Sequence, residues 1–263
     1  MALKITEIQE FALHDGPNIR ATVFLSGCPL RCVWCHNPET QALSSTLLYE
    51  AEKCIGCGEC VAVCSNAVHA LSVTEHSLAR ERCTLCGKCI KACPNGALRQ
   101  SVSLLDKDGL LKLVEKQKRL YGDKAGITFS GGEPTLQGEE LLRLLEGVEI
   151  HTAIETCGYT SEALFRKIVD RMDYIMYDIK LADDSQHRRY TGVSNALILK
   201  NFEYLQSSGK LFTVRTPLIP NITDTQENLA MIQKIVGDGA WEKLPYNPLA
   251  PVKYAWIGKE YSL

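Results

Sequence analysis

Residues 19–35 read Ile19-Arg-Ala-Thr-Val-Phe-Leu25, then Ser26-Gly-Cys28-Pro-Leu-Arg-Cys32-Val-Trp-Cys35. The first seven residues are apolar and β-branched enough to predict a buried strand. The loop behind them carries three cysteines. A strand that delivers reactive side chains at its carboxyl end is the working unit of parallel α/β folds. The unit recurs. Further strands are predicted at 126–130, 150–156, 174–179, Leu211–Pro217 and 243–246. Helical patterns lie between them. Ser103-x-x-Asp106 predicts a capping box ahead of Leu110, Leu113, Val114 and Leu120. A helix over 141–146 stops at Gly147, Thr160 caps one carrying Leu164, Ile168 and Val169, and Thr223-x-x-Gln226 leads to Leu229, Ile232 and Val236. Six strands alternating with five helices predict an α/β fold, a partial (βα)6 barrel open along one side. Each chemically distinctive cluster follows a strand: Cys28, Gly131-Gly132-Glu133-Pro134, Glu155-Thr156, and Asp178 with Lys180.

Composition narrows the class. The chain has 263 residues, 45% hydrophobic and 23% charged, with a net charge of −2. These values exclude disorder and collagen-like repeats. No apolar run reaches a membrane span, and the charge offers no field for nucleic acid. The start, Met1-Ala-Leu-Lys-Ile-Thr-Glu7, lacks the features of a signal peptide. A reducing, cytoplasmic setting follows as the expectation, with the 12 cysteines serving metal or redox chemistry and not disulfides.

Eleven cysteines fall into three runs: Cys28-x3-Cys32-x2-Cys35, Cys54-x2-Cys57-x2-Cys60-x3-Cys64, and Cys83-x2-Cys86-x2-Cys89-x3-Cys93. The last two repeat at an offset of 29 residues, with Gly58 matching Gly87 and Asn66 matching Asn95. Four thiolates at x2-x2-x3 spacing suit cubane clusters whose fourth ligand crosses to the other copy. The pairing expected is Cys54, Cys57, Cys60 and Cys93 on one [4Fe-4S] cluster, and Cys83, Cys86, Cys89 and Cys64 on the second. Two zinc sites are the alternative. The first run has only three cysteines, so a cluster there keeps one iron open unless Cys157 serves as a fourth ligand. Cys32-x-x-Cys35-His36 also matches a haem-attachment string, which needs export. Residues 50–100 then form a ferredoxin-like insertion, and 1–49 with 101–263 form the barrel.

Cys28-x3-Cys32-x2-Cys35, with Trp34 before the last cysteine, resembles the radical S-adenosylmethionine (SAM) signature. Thr128-Phe-Ser-Gly-Gly-Glu-Pro134 is similar to that superfamily's SAM amino-group motif. The resemblance narrows at His14-Asp-Gly-Pro-Asn-Ile-Arg20, Cys35-His-Asn-Pro38, Tyr177-Asp-Ile-Lys180 and Thr191-Gly-Val-Ser-Asn195. Together these resemble the activating enzymes of glycyl-radical enzymes, such as the pyruvate formate-lyase activator. The insertion is similar to the subset that activates dehydratases, decarboxylases and C–C, C–N or C–S lyases. The resemblance implies a radical SAM partial barrel with three [4Fe-4S] clusters. Cys28, Cys32 and Cys35 would hold the catalytic one, whose open iron chelates SAM. The reduced cluster would cleave SAM to methionine and a 5′-deoxyadenosyl radical, which takes hydrogen from a glycine of the partner.

The resemblance also implies SAM contacts at Gly131, Gly132, Glu133, Asp178, Lys180 and Asn247. Glycines lacking Cβ would let the SAM amine approach the backbone. Asp178 and Lys180, two apart on a strand, face one side, with a salt bridge as the plainer reading. Some relatives hold Na+ or K+ beside the SAM carboxylate. The matching positions are Glu155, Thr156, Met176 through its carbonyl, and Asp178. Glu155 replaces an aspartate of the pyruvate formate-lyase activator, Asn247 a histidine, and Asn18 a glycine usual in the family. The chain ends at Leu263, ahead of a last helix that relatives carry, so closure at that edge is expected to be incomplete. His187-Arg188-Arg189 reads as a solvated helix face, or as the partner-docking side. His69, His76 and His151 read as structural.

Three functions compete: an activating enzyme for a glycyl-radical partner, a radical SAM enzyme acting on a small molecule or peptide, and a non-catalytic electron carrier. The first implies a monomer served by a flavodoxin- or ferredoxin-type electron donor.

Overall fold

The computed structural model describes residues 2–73, 75–261 and 263. β1 (Ala2–Ala12) and β2 (Ile19–Leu25) form an antiparallel hairpin. β1 is absent from the sequence prediction because Lys4, Glu7, Gln9 and Glu10 make it look polar. Its alternate residues, Leu3 and Ile5, are nevertheless in the core. The loop between the strands carries Asn18 at φ +62. Asparagine tolerates that left-handed conformation, so the usual second glycine is dispensable here. Buried Arg20 holds the loop by donating to the Pro17 carbonyl and to Thr128 Oγ1 (2.6 Å). Thr128 Oγ1 donates in turn to the Asp15 carbonyl at 2.6 Å.

After the cysteine loop the chain makes a compact excursion. β3 (Leu47–Tyr49) and β6 (Leu98–Gln100) pair antiparallel and frame it. Between them lie α1 (Glu59–Val63), the β4–β5 hairpin (His69–Leu71, His76–Leu78) and α2 (Lys88–Ala92). The duplication is visible in the backbone. Gly58 and Gly87 precede α1 and α2 in the left-handed conformation, at φ +78 and +75. The Val68 amide donates to Cys64 Sγ (3.4 Å) as the Ala97 amide does to Cys93 Sγ (3.3 Å). The excursion has its own small core of Leu47, Cys60, Val68, Cys89 and Leu98.

β7 (Ser103–Asp106) then returns antiparallel to β1. The rest is β–α alternation: α3 (Lys107–Tyr121), β8 (Ala125–Gly131), α4 (Gly138–Leu145), β9 (His151–Thr156), α5 (Glu162–Arg171), β10 (Tyr174–Asp178), α6 (Asp184–Thr191), α7 (Ala196–Ser207), β11 (Leu211–Pro217), α8 (Gln226–Val236), β12 (Trp241–Leu244) and α9 (Ala250–Trp256). The sheet order is β12-β11-β10-β9-β8-β2-β1-β7, and β2 with β8 to β12 are mutually parallel. Ile175, Met176 and Tyr177 of β10 are all buried, as expected of a strand covered on both faces. Phe165 and Ile168 of α5, Phe202 of α7 and Ile232 of α8 complete that cover.

Three caps differ from prediction. Ser103 lies in β7, so Asp106 alone caps α3, accepting from the Gly109 amide at 2.9 Å. Ser161, not Thr160, caps α5, and Thr225, not Thr223, caps α8. Thr223 instead ties its own loop, accepting from the Ile219 amide at 2.6 Å and donating to the Pro217 carbonyl. β12 ends before Pro245 because proline has no amide to give the ladder. Among the described residues, no helix is long and apolar enough to cross a membrane.

Candidate active site

The ends of all six parallel strands meet at one cavity of about 400 Å³. It is lined by Cys28 after β2, Gly131 of β8, Glu155 of β9, Asp178 of β10, Pro217 of β11 and Leu244 of β12. Six strands laid flat would span about 24 Å. The sheet must therefore curl to bring its first and last parallel strands to the same space.

Three pairs of backbone hydrogen bonds build the cysteine loop. The amides of Arg31 and Val33 donate to the carbonyls of Thr191 and Tyr190, at 2.7 and 3.0 Å. The Gly27 and Cys28 amides donate to Thr40 and Gln41. The Gly132 and Glu133 amides donate to Leu25 and Gly27, both at 2.9 Å. The Thr191-Gly-Val stretch is thus a dock for the cysteine loop. His187 belongs to that dock. It is buried, with Nδ1 2.7 Å from the Val193 carbonyl, which corrects its reading as a solvated residue. Arg188 and Arg189 are exposed as read.

Gly131 and Gly132 serve the same packing. A Cβ at Gly131 (φ +109) would lie 2.4 Å from the Leu25 nitrogen, and one at Gly132 would lie 2.3 Å from the Gly27 carbonyl oxygen. Two backbones approach here, and only glycine fits between them. Glu133 is 1% exposed. Its Oε1 accepts from the Thr135 amide and hydroxyl and from Thr156 Oγ1; its Oε2 accepts from the Cys157 amide and thiol. Five donors make Glu133 the organiser of the turn. They also occupy the Cys157 thiol, at 3.0 Å.

Charge is concentrated opposite the cysteines. Lys180 Nζ lies 2.6 Å from Asp178 Oδ2, and both side chains are mostly buried. Burial opposes the lysine charge, but Asp178 outweighs it and holds the ammonium protonated. Burial pushes the Cys28 and Cys32 thiols up to about 12. Such thiols ionise only when a strongly positive centre sits among them. Asn247 also lines the cavity, with Oδ1 accepting from the Leu249 amide at 3.0 Å. Met176 is fully buried in the ladder between Glu155 and Thr213 and is not among the lining residues.

Sequence comparison agrees with this geometry. A Radical SAM superfamily model matches residues 22–231. The chain is 38% identical over 270 residues to the trans-4-hydroxy-L-proline dehydratase activating enzyme of Clostridioides difficile, covering 98% of this chain and 88% of that one. It is 39% identical over 266 residues to the isethionate sulfite-lyase activating enzyme of Oleidesulfovibrio alaskensis, covering 96% and 86%. It is 34% identical over 274 residues to the 4-hydroxyphenylacetate decarboxylase activating enzyme of C. difficile strain 630, covering 98% and 86%. The chain belongs to the radical SAM glycyl-radical enzyme activating enzymes.

The donor set of this activating enzyme fits the iron–sulfur cluster of its superfamily. Three free thiols of one loop face a shared cavity, and the nearby fourth thiol, Cys157, is engaged by Glu133. Soft thiolates are the ligands such a cluster takes.

The other eight cysteines of the activating enzyme line two small cavities of about 20 Å³ each. One is lined by Cys54, Cys57, Cys60 and Cys93, the other by Cys83, Cys86, Cys89 and Cys64. The two sets cross between the copies. Two histidines read as structural lie at these cavities, His76 on the first and His69 on the second. His76 Nδ1 is 3.6 Å from Cys54 Sγ, its Nε2 is 3.7 Å from Cys60 Sγ, and His69 Nδ1 is 3.1 Å from His76 Nε2. His69 stands where the second copy has Leu98, so a mismatch in the repeat was the signal. Two further residues were missed. Lys253 of α9 reaches Asn37 (2.6 Å) and Glu39 (2.8 Å) behind the cysteine loop. Arg215 interrupts the buried stretch of β11 with a charge.

Proposed function

We propose that the activating enzyme binds SAM in the six-strand cavity and carries three [4Fe-4S] clusters. Cys28, Cys32 and Cys35 hold the catalytic cluster. Residues 50–100 form a ferredoxin-like module, with Cys54, Cys57, Cys60 and Cys93 on one auxiliary cluster and Cys83, Cys86, Cys89 and Cys64 on the other. The observation that carries the reading is the convergence of three unshared thiols, the Gly131-Gly132 turn and the Asp178–Lys180 pair on one cavity. When bound, the reduced cluster supplies the electron that cleaves SAM, and the resulting 5′-deoxyadenosyl radical takes a hydrogen atom from a glycine of the partner.

The protein's own residues position and shield. Lys180, kept protonated by Asp178, offers a fixed positive charge to the SAM carboxylate. Backbone carbonyls of the 131–132 turn and the Asp178 carboxylate offer acceptors to the amine and ribose. Asn247 offers an amide donor where a histidine would titrate. The buried apolar walls, Leu30 and Trp34, keep water from a primary-carbon radical. The eight module thiols relay electrons inward from a flavodoxin- or ferredoxin-type protein, and the enzyme acts as a monomer in the cytoplasm. The C. difficile and O. alaskensis relatives are named for a dehydratase, a decarboxylase and a lyase, which makes a glycyl-radical enzyme of one of these reaction classes the partner to test.

The test is anaerobic reconstitution with iron and sulfide, then reductant, SAM and a candidate glycyl-radical enzyme. A protein-centred glycyl signal in electron paramagnetic resonance (EPR), with stoichiometric 5′-deoxyadenosine, is the expected outcome. Deoxyadenosine without any glycyl radical across several partners would favour a small-molecule or peptide substrate.

A further inference from the structure

The oxygens expected to ligate Na+ or K+ are already engaged. Glu155 Oε2 accepts from Ser130 Oγ at 2.5 Å, and Glu155 Oε1 is paired with Arg215 Nη1 at 3.1 Å. Thr156 Oγ1 donates to Glu133 at 2.6 Å and accepts from the Gly158 amide at 2.9 Å. Asp178 Oδ2 is paired with Lys180. Met176 is buried inside the ladder and away from the cavity wall. A hard cation needs several free oxygens converging on one point. Among these side-chain oxygens only Asp178 Oδ1 is left without a partner, and one oxygen does not make such a site.

Arg215 supplies much of that charge. It sits on β11 in direct register with Asp178 of β10. Its side chain is 7% exposed. All three guanidinium nitrogens are held: Nη1 by Glu155, Nε by Glu242 at 2.8 Å, and Nη2 by the His14 carbonyl at 2.6 Å. Burial works against its charge, while Glu155, Glu242 and Asp178 outweigh burial. A guanidinium is always charged and its fork is preorganised, unlike an exchangeable ion. A metal cation entering beside it would meet Arg215 and Lys180 together. Glu155, Glu242 and Asp178 thus already have Arg215 and Lys180 as counter-ions.

We propose that the Arg215 guanidinium is a built-in cation, standing where relatives bind Na+ or K+, and that SAM binding by this enzyme needs no monovalent metal ion. The proposal rests on the reading that SAM occupies this cavity. Arg215 is a positioning residue: it acts by neutralising and orienting Glu155 and by adding positive charge beside Asp178 at the SAM end of the sheet.

The test uses the fully reconstituted holoenzyme. SAM affinity is measured by titrating the EPR change of the reduced cluster, in buffers of equal ionic strength. The cation is tetramethylammonium, too large for such a site, or K+, or Na+. The wild-type dissociation constant should agree across the three buffers within about twofold. Arg215→Met should weaken SAM binding by about tenfold in tetramethylammonium, and K+ or Na+ should recover most of it. Arg215→Lys, which keeps the charge, should stay independent of the metal ion. Saturable tightening of the wild-type enzyme by K+ or Na+ would overturn the proposal while leaving the SAM site standing. No SAM-dependent EPR change in any buffer would overturn both. If Arg215→Met fails to hold its iron, the wild-type comparison decides alone.

Discussion

The strand-end cavity and the two cavities of the excursion are all lined by cysteine, yet they are built for different occupants. The first measures about 400 Å³ and faces Glu133, Asp178 and Lys180. Each of the others measures about 20 Å³ and offers four cysteines among glycines, aliphatic side chains and one histidine, His76 in the first and His69 in the second. A site with three thiols, spare volume and fixed charges suits a metal centre that also binds a charged ligand. A site with four thiols and little else suits a centre that only accepts and passes electrons. The count of thiols and the space beside them thus distinguish the strand-end cavity from the other two within one chain.

The strongest way to break that division is Cys32→Ala. It should lower SAM cleavage by on the order of a thousandfold or more, and bound iron by about one third, leaving the module's clusters. Deoxyadenosine assay and iron analysis check both. Retained cleavage would move the chemistry elsewhere. Cys86→Ala addresses the other side. SAM cleavage driven by a small chemical reductant should stay within about twofold, while cleavage driven by a reduced flavodoxin or ferredoxin should fall about tenfold or more. Equal losses would remove the distinction between relay and reaction centre.

A finer contrast lies inside the module. His76 approaches Cys54 and Cys60, and the Tyr49 ring meets the His76 ring edge-on at 4.6 Å. The cavity of the second copy is lined by Leu47, Val68, Leu85 and Ile90, and by His69, which meets His76 and not a cysteine of its own cavity. A donor to cluster sulfur stabilises the reduced state. His76→Ala should lower one auxiliary midpoint potential by on the order of 50 mV and leave the other unchanged. Redox titration followed by EPR resolves the two. Equal shifts in both would mean that the asymmetry in the side chains is not felt by the clusters.

How much of this was legible in the sequence follows the same division. The parallel strands were, because apolar runs ending in Cys28, Gly131, Glu155 and Asp178 carry their own period and their own chemistry. Their helix caps slipped by one to three residues, since Thr160 and Ser161, or Thr223 and Thr225, compete for one role and only backbone extension decides it. β1 and β7 were not legible: they are antiparallel strands whose polar residues hide the alternation. The crossed cysteine sets were legible from the spacing, because the repeat prescribes which loop faces which. Arg215, Lys253 and His76 were not. Each matters through partners distant in sequence: His76 through Cys60 and Cys54, 16 and 22 residues away, Arg215 through Glu155, 60 away, and Lys253 through Asn37, 216 away. Gly131 and Gly132 were found for a different reason than the one the fold gives, a fit of backbone against backbone.

The smallest effect concerns how the two regions are joined. Barrel and excursion have separate cores, and polar contacts bridge them. Arg80 donates to the carbonyls of Leu47 and Trp256, at 3.1 and 2.9 Å, and Trp256 Nε1 donates to Glu52 at 3.2 Å. Glu50 anchors the excursion's base, paired with Lys53 at 2.6 Å and Arg99 at 2.9 Å. Burial works to raise its pKa, and Lys53 and Arg99 outweigh burial and hold the carboxyl below its usual range. A depressed folded value means the stabilisation is complete above the unfolded glutamate range, near pH 4.3, and is lost only as pH falls through the lower folded value. Glu50→Gln should therefore cost about 1 kcal/mol at neutral pH, because Gln keeps one hydrogen bond and loses the charge. The urea midpoint for loss of the module's visible absorption should drop by the same amount at every pH from 8 to 6. A gap that closes within that range would show that Glu50 is not held ionised, and the seam would then owe its strength to Arg80 and Trp256.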